Sequence, residues 1–177
     1  MNLELMAMRW LWLDKTCHYV IQERTPRYGI GQPDVLGVMR NRHLIEIEIK
    51  RSGSDFIADF KKPHRRNRGI LDSTFPRQFY YLMPRELAEK YKEKIPAWAG
   101  LMQNSLNNFT CEVVKVAPVN ENAQRLSIKE CVKMARAMVA HMMSEKYRLE
   151  SNKNRFVEND ETTFVEWVPA RVGTYEI

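Results

Sequence analysis

Cysteine is too sparse in this 177-residue chain to build anything: Cys17, Cys111 and Cys131 lie far apart and are odd in number. They form neither a disulfide framework nor a metal-ligand pair, and they point to a reducing, cytoplasmic setting. Seven glycines and eight prolines are too few for a low-complexity or disordered chain. No apolar run reaches the roughly 20 residues of a membrane span, so no membrane partner is expected. Residues 1–13 are apolar, but Glu4 precedes their one base, Arg9, and there is no basic leader or small-residue cleavage site of a signal peptide. A Gly-rich loop ending in Lys-Ser/Thr is missing, as is a Gly-x-Ser-x-Gly elbow. His18, His43, His64 and His141 lack zinc spacing. Nucleotide-driven work, serine-hydrolase chemistry and structural zinc are therefore set aside.

What the chain does have is alternation. Ile45, Ile47 and Ile49 interleave with Glu46, Glu48 and Lys50, the period of two that marks a strand with one apolar face and one ionic face. Asp34 opens a second strand-like run, residues 34–40, joined to the strand 43–50 by the short polar link Arg40-Asn41-Arg42-His43. A hairpin of the two brings Asp34 towards Glu48 and Lys50. Two carboxylates a few ångströms apart repel unless one is protonated or a cation lies between them. One Asp and one Glu are hard oxygen donors suited to Mg2+ or Mn2+. With Lys50 on the same face, such a set can hydrolyse a phosphodiester, the metal activating water and the ammonium steadying phosphate charge. The plain alternative is a half-exposed strand whose polar face is simply wet.

Pro33-Asp34 followed by Glu48-Ile49-Lys50 at the end of the next strand resembles the motif of the PD-(D/E)xK nuclease superfamily. The order of flanking elements is similar to that of MmcB-like DNA-repair proteins and, more loosely, archaeal Holliday-junction resolvases. The likeness spans residues 3–116. It implies an α/β fold with a restriction-endonuclease-like mixed central sheet flanked by helices. It also implies Asp34, Glu48 and Lys50 as the catalytic set, with Asp34 and Glu48 as metal ligands. Relatives often add a third acid, for which Glu4, Glu23 and Glu46 compete. Glu46 shares the face of Glu48 but lies about 7 Å further along the strand from it.

The remaining elements follow from period and caps. Leu3, Met6, Trp10 and Leu13 define a helix over residues 2–13, and residues 17–24 read as strand. Ser54 is placed to cap a helix over 55–62, burying Phe56, Ile57 and Phe60. A strand at 79–83, a helix at 85–94 and short strands at 97–103 and 112–117 come next. Ser127 and Glu130 form a capping box for a long helix ending near residue 149, whose Met134, Met138 and Met142 read as core. Strands alternating with helices make one α/β domain, residues 1–150. Residues 151–177 begin with a turn-prone stretch, then carry Phe164, Val165, Trp167 and Val168. This extension is too apolar to float, so it is expected to pack on the body or on a partner subunit, which leaves a homodimer open.

Charge is uneven. The net charge is +6, but residues 150–177 carry six acids against three bases, a net of −3, so residues 1–149 carry +9. Residues 61–68 alone hold Lys61, Lys62, Arg65, Arg66 and Arg68 around His64, with no acid. Such a run suits a phosphate backbone, and DNA is the expected partner. The reading from these features is a Mg2+- or Mn2+-dependent deoxyribonuclease. Its rival is a catalytically silent nucleic-acid-binding or assembly module that keeps the fold. Replacing Arg65, Arg66 and Arg68 with alanine should weaken DNA association and flatten its salt dependence by about 0.9 in log–log slope for each phosphate that is no longer neutralised. An unchanged slope in a fluorescence-anisotropy salt titration would reduce the run to a solvated loop.

Overall fold

The computed structural model describes residues 2–22, 33–59, 75–107 and 109–157, with side chains as far as residue 151. Helix α1 (Leu3–Leu13) starts on Asn2, whose side chain accepts the Leu5 N–H at 2.9 Å. Its buried stripe is Leu3, Met6, Ala7, Trp10 and Leu11. That spacing of three and four leaves Leu13 on the flank and 56% exposed, so the expected core position at 13 is not one.

Strands β1 (Tyr19–Gln22), β2 (Val35–Val38), β3 (Leu44–Ile49), β4 (Gln78–Met83), β5 (Gly100–Asn104) and β6 (Cys111–Lys115) lie side by side in sequence order. Pairing is antiparallel from β1 to β3, parallel from β3 to β5, and antiparallel again at β6. The protein is thus an α/β fold with a mixed six-stranded sheet flanked by helices. Each parallel step needs a crossover. Helix α2 (Gly53–Asp59) lies on the first, and α3 (Arg85–Tyr91), with a 3-10 turn at Lys92–Lys94, on the second.

Several boundaries differ from those read from the sequence. Ser52, not Ser54, caps α2, its Oγ accepting the Asp55 N–H at 3.2 Å. Consequently Ile57 falls on the open side, 45% exposed, while Phe56 is fully buried. Residues 97–99 belong to the turn ahead of β5, and residues 92–94 tighten to 3-10 geometry. Helix α4 (Ile128–Val157) runs past the stretch expected to turn at 151–154, since Ser and Asn each cost a helix only tenths of a kcal/mol and no Gly or Pro stops it.

The sheet separates two apolar layers. On one face Ile45, Ile47, Ile49, Tyr80, Leu82 and Met102 pack under the α1 stripe. On the other, Phe79, Tyr81, Met83 and Leu101 pack with Phe56 of α2 and Ala88 and Tyr91 of α3. A third cluster joins Leu36, Val38 and Leu44 to Leu126 and to Cys131 and Met134 of α4. The capping box at the head of α4 forms as expected: Glu130 Oε2 accepts the Ser127 N–H at 2.7 Å, and Ser127 Oγ accepts the Glu130 N–H at 3.2 Å.

Contacts divide the chain into Met1–Met138 and Val139–Ile177, a division that falls within α4. Met134 belongs to the core of the first unit, whereas Met142, in the second, is 63% exposed and does not continue the row. Residues 158–177, where the docked extension is expected, lie outside the described residues.

At Gly100 a Cβ would run into the Tyr80 ring and come within 2.7 Å of the Ala117 backbone nitrogen. Backbone cannot yield as a flexible side chain can. Gly100→Ala should lower unfolding free energy by about 1–3 kcal/mol, read from the urea midpoint at unchanged m-value.

Candidate functional site

The central strand carries the ionic groups. Antiparallel register sets Val35 against Ile47 and Leu36 against Glu46, and parallel register sets Glu46 beside Phe79 and Glu48 beside Tyr81. Glu46, Glu48 and Lys50 therefore share the face of Phe79 and Tyr81, opposite the α1 layer. All three are buried, at 1%, 4% and 2% exposure, so the polar face of this strand is not a wetted one.

Lys50 is the hub. Its Nζ donates to Glu48 Oε1 at 2.9 Å and to Asp59 Oδ1 at 3.2 Å, and Asp55 Oδ1 lies 3.6 Å away. Burial by itself would pull the ammonium towards neutrality, but the bonds and charge of Glu48 and Asp59 outweigh it and raise the Lys50 pKa. The group is a fixed cation, able to stabilise negative charge and unsuited to act as a base. Asp55 is about half exposed, which marks the open side of the cluster.

Asp34 stands one residue before β2, opposite Glu48 when the ladder is extended by one pair. Its Oδ2 accepts the Ile49 N–H at 2.6 Å, standing in for a backbone carbonyl just ahead of the start of β2. The side chain is thus held at the β3 terminus in register with the Glu48–Lys50 pair. Among the described residues no group of three or more His, Cys, Asp or Glu side chains is gathered to hold a metal. A Mg2+ site does not need one, because that ion commonly takes one or two carboxylates and fills its octahedron with water and substrate phosphate.

The candidates for a third acid fare differently. Glu4 grips Arg51 through both oxygens, at 2.6 and 2.7 Å. Burial acts to raise its pKa, yet the Arg51 bonds hold the carboxyl below its ordinary value. Glu4 is thereby committed to the residue after Lys50. Glu46 lies on the Glu48 face as expected. Glu23, the basic run Lys61, Lys62, His64, Arg65, Arg66 and Arg68, and Phe60 with the helix end expected at residue 62 lie outside the described residues.

Asp59 and Tyr81 were not read from the sequence as part of the site. The Tyr81 hydroxyl donates to Asp59 Oδ2 at 2.9 Å, completing a chain from β4 through α2 to β3. The spacing of Asp55 and Asp59, four residues apart just after the Glu-x-Lys strand, was the available signal. Elsewhere, a cavity of about 540 Å3 lined by Leu5, Met6, Met8, Trp12, Val20 and Phe109 is nearly all apolar and shares no residue with this cluster. No helix among the described residues is long and apolar enough to cross a membrane.

The class that emerges is a mixed-sheet α/β domain with a lysine–carboxylate cluster buried on its central strand. No protein-family model and no curated protein matches the sequence. A solved structure is similar, that of a protein of unknown function from Silicibacter pomeroyi, with 22% identity and a TM-score of 0.57. The match covers 86% of this chain and 91% of that one, and shows that the fold is shared.

The two ion pairs should behave differently on mutation. Lys50→Met removes the buried ammonium that Glu48 and Asp59 share and should cost about 3–5 kcal/mol, whereas Glu4→Gln should cost below about 1 kcal/mol. Because the folded Lys50 pKa is raised, its contribution is full below about pH 10.4 and fades as pH rises through the folded value. For Glu4, whose pKa is depressed, the contribution is full above about pH 4.3 and fades as pH falls through the folded value. Urea titrations should show the first gap narrowing only in strong alkali and the second only in acid.

Proposed function

We propose that the protein is a metal-dependent DNA nuclease of the PD-(D/E)xK type, hydrolysing phosphodiesters in DNA repair, recombination or mobile-element processing. The observation that carries this reading is Lys50. A fully buried ammonium, bound at 2.9 Å to a glutamate two residues back on the central strand, lies beside the strand end that Asp34 secures. One ammonium is shared by three carboxylates, Glu48, Asp55 and Asp59, at 2.9, 3.6 and 3.2 Å.

Asp34 and Glu48 would hold Mg2+ or Mn2+, and both offer only the oxygen donors such ions prefer. When bound, the metal supplies Lewis acidity and a water of lowered pKa. The protein's own residues do the rest. Asp34 ties the start of β2 to Ile49, next to Glu48 in the chain. Lys50 presents a permanent positive charge where a phosphorane would gather negative charge, and burial strengthens that interaction relative to water. Asp55, on the open side, borders the approach to the ammonium. The basic run at 61–68 follows α2 in the chain and supports DNA as the substrate.

Purified protein incubated with supercoiled, linear, single-stranded and branched DNA should cut at least one of them with Mg2+ or Mn2+ and none with a chelator. Asp34→Asn and Glu48→Gln should abolish cleavage with DNA binding retained, and Lys50→Ala should slow turnover by roughly 10²–10³-fold. Failure of the parent protein to cut any of these substrates, with DNA still bound, would favour a silent binding module instead.

A further inference from the structure

We propose that Asp59 is a positioning residue of this site: oriented by the Tyr81 hydroxyl, its carboxylate fixes the Lys50 ammonium beside Glu48. The assignment rests on the nuclease reading for its catalytic consequence and on geometry for the rest. Asp59 is the last residue of α2 and is fully buried. A buried carboxylate costs several kcal/mol unless its oxygens are satisfied. Here each oxygen is taken by a different donor, Oδ2 by Tyr81 at 2.9 Å and Oδ1 by Lys50 at 3.2 Å. Two donors on two oxygens set the orientation of the carboxylate as well as its position.

The support behind it is rigid. Phe56, one turn earlier on α2, meets Tyr81 edge-on at 5.3 Å and Tyr91 at 5.3 Å, and Phe79 meets Tyr81 at 5.0 Å. At the head of α2, Gly53 lies so close to the Tyr91 hydroxyl that a Cβ would collide with it. The helix therefore has one seat against the aromatic layer, and Asp59 inherits it.

The consequence falls on Lys50. A lysine ammonium has three donors on a flexible stem. Two are committed, to Glu48 and Asp59, so the stem cannot swing. The third is left for the side where Asp55 lies, at 3.6 Å beyond hydrogen-bond range and about half exposed. That is the side from which a phosphate can approach. Without Asp59, the ammonium would hang on Glu48 alone, and the donor meant for substrate would lose its direction.

The test uses the full chain and two variants, Asp59→Asn and Tyr81→Phe, each first checked for a native backbone amide spectrum. With 15N-lysine labelling, the parent should show a sharp, slowly exchanging side-chain resonance for Lys50, identified by its absence in Lys50→Arg. In Asp59→Asn that resonance should broaden beyond detection. On a cleavable DNA, kcat should fall by roughly 10²-fold, as a misplacement of about 1 Å does, with KM within about twofold of the parent. Tyr81→Phe should give a smaller fall in kcat with KM again unmoved. An unchanged resonance or an unchanged kcat in Asp59→Asn overturns the assignment. If Asp59→Asn does not fold, Tyr81→Phe decides alone, and an unaltered kcat overturns it. A parent protein inactive on every DNA overturns the nuclease reading and the catalytic role with it, while the resonance still decides whether Asp59 clamps Lys50.

Discussion

Everything around β3 depends on keeping one ammonium charged away from water. Moving a lysine head group into the interior costs several kcal/mol, and the cost is tolerable only where oppositely charged partners stay within hydrogen-bond reach. Lys50 meets that condition with partners drawn from two elements: Glu48 on its own strand, and Asp59 and Asp55 on the following helix. The requirement acts on the topology. Strand β3 has neighbours on both edges and apolar layers on both faces, so the ionic residues on it cannot escape to solvent by a local rearrangement. Helix α2 then has to return close enough to the sheet for Asp59 to reach the ammonium, which places a short helix directly after the strand.

The strand pair itself was legible in the chain because its information is local. Alternation of Ile with Glu and Lys depends on neighbours two residues apart, and the link from Met39 to His43 closes with the Met39 N–H on the His43 carbonyl at 2.9 Å. Arg42 sits there at φ 67°, a left-handed conformation that residue identity does not announce. The Ser127–Glu130 box was legible for the same reason, since it acts within three residues, whereas Asn2, read as part of the first helix, proves to be its cap. What alternation could not reveal was depth. A polar face reads the same whether water or a helix covers it, so Glu46, Glu48 and Lys50 looked like candidates for a wetted surface. Their burial depends on α2, on β4 and on aromatic residues such as Phe79 and Tyr81 that are distant in sequence.

Asp59 and Tyr81 were hidden for a related reason. Their bond joins residues 22 apart in sequence, and neither residue type is unusual in its own element. A carboxylate at the end of a short helix normally faces solvent. Only the aromatic packing of Phe56 against Tyr81 and Tyr91 shows that this end is buried. The missed boundaries have the same origin on a smaller scale. Whether Ser52 or Ser54 caps α2, and whether Ile57 is inside, depends on a shift that only the seat against Tyr91 decides.

Two ion pairs at adjacent residues make the division of labour visible. Arg51 reaches both Glu4 oxygens from one nitrogen, Nη2, at short distances, but the arginine is about half exposed, so water competes for both partners and the pair adds little to stability. Its effect is to tie the first helix to the turn that follows β3. Lys50 has longer bonds, yet its surroundings are dry, and removing Glu48 or Asp59 upsets a charge balance held away from water. Distance alone would rank the two pairs in the wrong order. Burial ranks them correctly, and it singles out Lys50 as the position where charge, geometry and the fold are inseparable. A site built on such a residue tolerates change on its open rim, at Asp55, far better than at the carboxylates behind it.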